Sequence, residues 1–255
     1  MAAKCFLRDA PAGAFRVTIF DVQARIGGLW PSRKDESGGV VHPLMVANQS
    51  RHTMQFSDLA WDPKVPQLPR AWQVGRYLER YRERYCRDAD IRLGSRVQEA
   101  VPVSAADDDG IPSTKWHLHV QSSDGEMEQH QFDHLVVASG YFGRPAVPIF
   151  RANEPEIPVI HSSSYRDLGS LLGKTNGKGR KILVVGGQMS GVEIAGTIAT
   201  HLSSATHSPS SSKLSNADEY SIHHVVQRPT WVVPLHLSPQ VCSYSNSLFP
   251  HNGSP

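Results

Sequence analysis

Cysteine is scarce in this sequence, and long apolar runs are missing. Its 255 residues hold 3 cysteines, at positions 5, 86 and 242. They are too few and too far apart for a disulfide framework, a zinc site or a Cys-x-x-Cys redox pair. No apolar run approaches the length that spans a bilayer, and the N-terminus has no apolar core of a secretory signal. We therefore expect a cytoplasmic protein without a membrane span.

Net charge is also small. The chain carries 26 Lys and Arg residues against 24 Asp and Glu residues, a formal charge of +2, and the basic residues are spread along it. A nucleic-acid-binding protein would gather them into a patch or stripe, so we expect no nucleic-acid partner. With 39% apolar residues, the chain can bury one large core or two small ones.

What the sequence does contain is the pattern of an α/β protein. The end of a helix at 2–10 is followed by a β-branched run, 17–20, which is typical of a strand in a parallel sheet and is closed by Asp21. Residues 71–85 are amphipathic with a helical period. Further strands are predicted at 96–102, 115–121 and 134–140.

A second α/β pattern starts after a stretch of poor periodicity. A strand at 181–185, a glycine turn, a helix at 192–202 and a strand at 220–227 follow one another. Residues 203–216 are rich in serine and are expected to loop out or to be disordered. We therefore place a first domain at 1–165, a linker at 166–179 and a second domain at 180–255.

The glycine turn of this second pattern indicates a dinucleotide site. The segment KILVVGGQMSGVEIAG supplies a strand, a glycine turn and a helix start in the required order. Gly186 permits the tight turn, Gly191 lets the helix lie close to the strand, and the helix N-terminus offers N–H groups to a pyrophosphate. Gln188 replaces the middle glycine, and the adjacent Gly187 can compensate by a shift of the loop. A purely structural strand-turn-helix unit is the alternative.

The residue that closes the next strand separates NADPH from NADH. An acid there binds a free ribose hydroxyl, whereas an arginine accommodates a 2′-phosphate. Arg228 has that place, which favours NADPH, with a solvated surface charge as the alternative. Asp21 has the same place after the first strand, where it would bind the adenosine ribose of another dinucleotide or merely cap a turn. The strand and glycine loop expected before residues 2–10 do not appear in the sequence.

The segment RIGGLW follows Asp21 closely. Gly27 and Gly28 would let the backbone approach a flat ligand, and Leu29 and Trp30 would add apolar surface. A glycine turn beside a core tryptophan is the alternative.

Six segments, in order, resemble flavin-containing monooxygenases. DVQARIGGLW is similar to the segment after the second strand of their FAD domain, and ANQSRHTMQFSDLAW to their Asn-containing segment. FDHLVVASGYFGRPAVP resembles their Ala-Thr-Gly strand, with Ser139 in place of Thr. HSSSY, from His161 to Tyr165, matches the end of the family's identifying pattern. GGQMSGVE is similar to the NADPH loop, and RPTW to the site of the phosphate-binding arginine.

This resemblance implies two Rossmann-like dinucleotide-binding domains. NADPH would reduce FAD, the reduced flavin would take up molecular oxygen as a hydroperoxide, and that species would oxygenate a soft nitrogen or sulfur nucleophile. Asn48 would be catalytic because its amide can both donate and accept near the flavin; a loop Asn that caps its own backbone is the alternative. The residues implied to contact the two cofactors are Asp21, Gly27, Gly28, Leu29, Trp30, Ala47, Asn48, Gly140, Gly186, Gly187, Ser190, Gly191, Val192, Glu193 and Arg228.

Some residues depart from the family pattern. Pro155 and Ile157 stand where the identifying pattern has Phe and Gly. Tyr165 stands where Baeyer–Villiger enzymes would have Trp, which disfavours that class of enzyme. The matches end near Trp231. We therefore expect a fragment, truncated at both ends, with an FAD domain that lacks its first strand and glycine loop, an incomplete NADPH domain, and weak or no FAD binding.

Other functions stay open at this point. A non-catalytic NADP-binding remnant would bind NADPH without oxidising it, and a protein–protein scaffold would bind neither nucleotide. A flavin disulfide reductase would need a redox cysteine pair, which the sequence lacks. Neither the substrate nor the oligomeric state follows from the sequence.

Overall fold

The computed structural model describes residues 1–36, 39–106, 112–140, 142–143, 145–147, 157–172, 180–207 and 217–228. The chain divides into two compact units, Met1–Pro145 and Ala146–Pro255. The predicted division into a first domain at 1–165, a linker at 166–179 and a second domain at 180–255 stays a prediction.

The first unit is built around a strand-helix-strand crossover. Helix α1, Ala2–Lys4, continues as a π-helical turn, Cys5–Asp9. Strand β1, Thr18–Asp21, is followed by helix α2, Ala71–Tyr85, and strand β2, Asp90–Leu93. Strands β1 and β2 are parallel, with Thr18 opposite Asp90. The predicted strand and the predicted amphipathic helix are thus confirmed, whereas β2 was not predicted.

A three-stranded antiparallel sheet follows the crossover. Strands β3, Arg96–Ala106, β4, Pro112–Gln121, and β5, Met127–Phe132, lie in that order across the sheet. The alternation of apolar and polar residues predicted β3 and β4, although both are longer than expected. Strand β5 is largely exposed and polar, which is why its sequence gave no strand pattern.

The strand predicted at 134–140 does not form. These residues are described without regular structure, and the Val136 and Val137 side chains are 54% and 78% exposed. A strand needs a neighbour to pair its backbone N–H and C=O groups, and no described strand pairs with this segment. The β-branched residues favour a strand, but no described neighbouring strand is present for this segment to pair with.

The core of the first unit lies between α2 and the loop before it. Its buried members are Leu59, Trp61, Val74, Tyr77 and Tyr81. The Trp61 and Tyr77 rings stack with centroids 4.2 Å apart. The Tyr77 hydroxyl donates to the Leu59 carbonyl oxygen at 2.5 Å and accepts from the Phe56 N–H at 2.7 Å. One side chain of α2 therefore supplies both ring stacking and two hydrogen bonds to the loop.

Helix α2 also contacts the loop that contains Trp30, and it does so through Gly75. A Cβ atom at Gly75 would lie 2.1 Å from the Pro31 carbonyl oxygen and 2.9 Å from the Trp30 carbonyl oxygen. No side chain fits in that space, so the helix backbone packs directly on the loop backbone.

The second unit repeats the crossover on a smaller scale. Its elements are a 3-10 turn at Ser162–Ser164, α3 at Leu168–Leu172, β6 at Lys181–Val185, α4 at Met189–His207, a 3-10 turn at Ala217–Glu219 and β7 at Ser221–Val225. Strands β6 and β7 are parallel, as predicted. The first part of the predicted serine-rich loop, 203–207, is helical instead, and 208–216 lie outside the described residues.

The core of the second unit is small. Its buried members are Tyr165, Val184, Ile198 and Leu202. A continuous apolar run such as β6 is typical of a strand buried on both faces, but Leu183 and Val185 are 60% and 68% exposed and only Val184 is buried. The strand is covered by α4 on one face, and its other face has no described layer packed on it.

The contact at Gly75 predicts the cost of adding one methyl group. We expect Gly75→Ala to lower the free energy of unfolding by about 1–3 kcal/mol, because the obstructing atoms belong to the backbone and cannot rotate away. Urea unfolding followed by tryptophan fluorescence measures it, since Trp30 and Trp61 belong to this unit.

The matched control is Arg80→Ala, on an exposed face of the same helix. It should change the free energy of unfolding by no more than about 0.5 kcal/mol. Equal effects of the two substitutions would show that the close contact does not contribute to stability.

Candidate functional site

The turn between β6 and α4 has the backbone geometry of a nucleotide loop. Gly186 has φ 125°, which side chains disfavour. A Cβ atom at Gly191 would lie 1.8 Å from the Gly186 carbonyl oxygen, so the helix starts in direct contact with the turn. Both glycines therefore have the geometry that their positions in the motif predicted.

Strand β7 fixes the same turn from the other side. The Gly186 N–H donates to the Val225 carbonyl oxygen at 3.0 Å. The Gly186 carbonyl oxygen lies 2.7 Å from His224 Nε2, which must carry the proton because a carbonyl can only accept. His224 was not singled out in the sequence, because a histidine in an exposed strand has no distinguishing pattern.

The start of α4 leaves backbone donors available. Its first hydrogen bond runs from the Val192 N–H to the Gln188 carbonyl oxygen at 3.1 Å, so the N–H groups of Ser190 and Gly191 have no acceptor within the helix. Glu193 follows in the same turn, and partial desolvation raises the pKa of its carboxyl above the usual range.

Arg228 lies just beyond the end of β7. Because β6 and β7 are parallel, with Val185 opposite Val225, their carboxyl ends meet at one edge of the sheet. The glycine turn and the segment with Arg228 both leave from that edge. The exposed Arg228 is thus on the side of the sheet that its predicted role requires.

Asp21 ends β1 at the equivalent edge of the first unit. Its Oδ1 atom accepts a hydrogen bond from the Gln23 N–H at 2.8 Å, which is the turn-capping role considered for it. This bond uses one carboxylate oxygen. A carboxylate has a second oxygen, so capping and ribose binding are compatible.

The RIGGLW segment forms a turn held by an ion pair. The Trp30 N–H donates to the Gly27 carbonyl oxygen at 3.0 Å, and Gly27 and Gly28 have φ 114° and 56°. Arg25 donates from Nη1 to the Trp30 carbonyl oxygen at 2.6 Å, and its Nε lies 2.5 Å from Glu36 Oε1. Neither Arg25 nor Glu36 was among the predicted site residues, since their pairing depends on the fold of the turn.

Asn48 is exposed beside a buried Ala47. The segment is held in place by its backbone: the Ala47 N–H donates to the Pro69 carbonyl oxygen at 2.8 Å, and the Ala71 N–H to the Met45 carbonyl oxygen at 2.8 Å. No hydrogen bond joins the Asn48 side chain to another described residue, so the proposed capping of its own backbone is not seen. Its amide remains available to a ligand.

The predicted residues fall into separate groups. Gly186 and Gly191 contact each other, and Gly27 is bonded to Trp30. The Asn48 segment pairs with the start of α2, which in turn touches the Trp30 loop at Gly75. No direct contact joins Asn48 to Asp21 or Trp30 among the described residues. Gly140 is exposed in the segment that forms no strand.

Tyr165 links the segment before α3 to α4. It is buried, and its hydroxyl oxygen lies 2.7 Å from His201 Nδ1. Burial raises the pKa of Tyr165 to about 12, so its phenol is neutral, and the histidine tautomer decides which of the two groups donates. His161 instead accepts at Nδ1 from the Ser163 N–H, at 3.2 Å. Both residues brace the second unit.

The part of the chain that the structure describes contains no helix with the length and apolar character needed to cross a bilayer. It also contains no cluster of three or more His, Cys, Asp or Glu side chains able to hold a metal ion.

Two strand-helix-strand crossovers, each with a glycine contact between helix and loop, define an α/β protein of the two-dinucleotide type. Residues 4–213 match the family model described as flavin-binding monooxygenase-like, and the chain belongs to that family. The predicted family is thereby confirmed.

Curated relatives agree with this assignment. The flavin-containing monooxygenase FMO GS-OX1 of Arabidopsis thaliana is 26% identical over 241 residues, which cover 85% of this chain and 48% of that protein. The thiol-specific monooxygenase of Saccharomyces cerevisiae is 26% identical over 222 residues, covering 84% and 48%. The chain thus spans about half the length of the curated relatives it matches.

Solved structures of similar fold are flavin monooxygenases. The flavin-containing monooxygenase from Stenotrophomonas maltophilia has a TM-score of 0.62 at 17% identity, and the match covers 100% of this chain and 66% of that one. Tmm from Pelagibacter sp. strain HTCC7211 has a TM-score of 0.57 at 20% identity, with 76% and 44% covered. At these identities the likeness establishes the fold, and it confirms the predicted pair of Rossmann-like domains.

The contact between Gly191 and Gly186 makes a prediction about local stability. In Gly191→Ala, the new methyl group would meet the Gly186 carbonyl oxygen, and the first turn of α4 must move away from β6. We expect amide hydrogen exchange in peptides covering 181–207 to accelerate about tenfold or more.

Gly196→Ala is the control, because an added Cβ atom there has nothing within 4 Å. Exchange in this variant should be unchanged or slower, since alanine favours the helix. Acceleration of similar size in both variants would contradict the role given to Gly191.

Proposed function

We propose that this chain belongs to an NADPH- and FAD-dependent monooxygenase that uses molecular oxygen to oxygenate a soft nitrogen or sulfur nucleophile on a small molecule. Membership of the flavin-binding monooxygenase-like family supports this, as does the name of the thiol-specific yeast relative. The observation that carries the proposal is the backbone contact between Gly186 and Gly191, which places the start of α4 directly against the turn where a dinucleotide's pyrophosphate would bind.

The residues around this turn fit NADPH. Gly186, Gly187 and Gly191 would let the pyrophosphate approach the backbone, and the N–H groups of Ser190 and Gly191 would donate to it. Val192 and Glu193 would complete the contact surface. Arg228 would accommodate the 2′-phosphate, because it follows β7 at the edge of the sheet where the turn lies.

The first unit fits FAD in part. Asp21 would bind the adenosine ribose with its free oxygen, and an added Cβ atom at Gly28 would meet nothing within 4 Å, so a flat ligand can reach the backbone there. Gly27, Leu29, Trp30 and Ala47 would line the same site. Gly140 fits less well, because its segment is exposed and unpaired. The chemistry that bound FAD supplies is the transfer of electrons from NADPH to molecular oxygen.

Asn48 would orient the reacting groups. Its exposed amide can donate one hydrogen bond and accept another at the same time, and no described residue competes for it. The rigid backbone pairing of Ala47 with Pro69 would hold that amide in one position. Removal of the amide would therefore affect orientation rather than the fold.

A non-catalytic NADP-binding remnant is the second candidate. The exposure of Val136 and Val137 favours it, because a site that includes Gly140 would be poorly formed. Binding of NADPH without its oxidation in the presence of FAD and oxygen would distinguish the remnant from the enzyme.

Nucleotide selectivity provides the first test. We expect NADP⁺ to bind in preference to NAD⁺, and Arg228→Gln to lower the affinity for NADP⁺ roughly tenfold or more, because a charged hydrogen bond to the 2′-phosphate is lost. Isothermal titration of both nucleotides measures this.

Lys181→Gln is the control for that titration, since it removes one positive charge at the opposite end of β6. It should leave both affinities unchanged. If Arg228→Gln lowers the affinities for NADP⁺ and NAD⁺ equally, Arg228 does not read the 2′-phosphate.

Flavin retention provides the second test. We expect the purified chain to keep little FAD after gel filtration in buffer with added FAD, because the segment with Gly140 is not held in a sheet. Flavin absorbance of the eluted protein measures the bound fraction. A stoichiometric complex would contradict this prediction and would favour the enzyme over the remnant.

A further inference from the structure

A cavity of about 330 Å³ lies in the first unit beside the start of α2. Its lining residues are Lys34, Leu44, Pro66, Arg70, Trp72 and Gln73. This volume is at the lower end of what small-molecule sites have. The lining combines apolar surface with two cationic side chains and contains no carboxylate.

Positive charge is concentrated around Trp72. The Lys34 Nζ atom lies 5.1 Å from the centroid of the Trp72 ring, and the Arg76 guanidinium carbon lies 5.3 Å from it. Arg70 is fixed in the wall, because its Nη1 donates to the Leu44 carbonyl oxygen at 2.9 Å. Two cations therefore lie against one indole, and a third, Arg70, belongs to the same cavity wall.

No described carboxylate neutralises these cations. The acids that follow Lys34 in sequence are already paired: Asp35 binds Arg33 at 3.0 Å, and Glu36 binds Arg25 at 2.5 Å. Among the described residues, Lys34, Arg70 and Arg76 form no ion pair. Like charges held close together repel one another, so an anion between them would be stabilised.

The Trp72 indole has an unmet hydrogen-bonding requirement. Its Nε1 atom is closed to solvent and has no acceptor among the described residues. Because a water molecule cannot reach this atom, a ligand in the cavity contacts the face of the Trp72 indole and not its N–H group.

We propose that this cavity binds a small organic oxyanion, a carboxylate or a phosphate ester. Lys34 and Arg70 bind its charged group, and Leu44, Pro66 and Trp72 contact its apolar body. The site is separate from the glycine turn of the second unit, and it requires neither flavin nor nicotinamide nucleotide.

Ligand titrations followed by NMR on the whole ¹⁵N-labelled chain test the proposal. The indole N–H signal of Trp72 is assigned by its loss in Trp72→Phe. Benzoate and phenyl phosphate share one apolar body and differ in the oxyanion, and benzamide is the neutral control. At constant ionic strength, we expect benzoate or phenyl phosphate to shift the Trp72 signal saturably and benzamide not to. A response to only one of them identifies the preferred oxyanion.

Variants locate the binding. Lys34→Gln and Arg70→Gln should each weaken the response roughly tenfold, because each removes a cation of the cavity lining that binds the oxyanion. Lys64→Gln and Arg80→Gln remove the same charges from exposed positions outside the lining and should leave it unchanged. No saturable shift, an equal response to benzamide, or equal weakening in the control variants would overturn the proposal. Unchanged spectra elsewhere in each variant establish that it is folded.

Discussion

The close approach of helix backbone to loop backbone is the constraint on which both units depend. In the first unit it occurs where Gly75 meets Pro31, and in the second where Gly191 meets Gly186. At each place even one methyl group would overlap a carbonyl oxygen. Each contact fixes how a helix lies over its loop, and the loops are the segments that carry the proposed nucleotide contacts. The same backbone contacts therefore determine both how the helices pack and where the proposed nucleotide-binding loops lie.

Around these contacts, other groups hold the loops in place. Arg25 and Glu36 close the turn that contains Trp30, and His224 and Val225 hold both backbone groups of Gly186. None of these contacts uses a side chain that is proposed to touch a nucleotide.

Local patterns in the sequence predicted the elements whose stabilising contacts are themselves local. Helix α2 was predicted over its full length because its apolar residues recur with a helical period, and the turn between β6 and α4 because strand, glycines and helix start are contiguous. The strand expected at 134–140 was wrong, since β-branched residues cannot pair without a neighbouring strand. Tyr77 and Gly75 were missed because their partners, Leu59 and Pro31, lie far away in sequence.

The candidate site divides in the same way. Gly186 and Gly191 were predicted because their spacing between a strand and a helix start is the one that a tight turn and a close helix contact require. Arg25, Glu36 and His224 did not, because a charge or an imidazole acquires its role only when folding brings its partner near. The Arg70 and Trp72 side chains are a further case, since the cavity they line exists only once α2 has docked beside Leu44.

The two kinds of sheet in the first unit also set an order of folding. Strands β3, β4 and β5 pair with their neighbours in sequence, and Gly125 in the connection between β4 and β5 has a positive φ. Strands β1 and β2 pair only after the long intervening chain, including all of α2, has been closed into a loop. Since contacts between distant residues form more slowly, the meander should be complete before the parallel pair exists. Until the parallel pair forms, the edge of β1 that pairs with β2 would stay without hydrogen-bond partners from that strand.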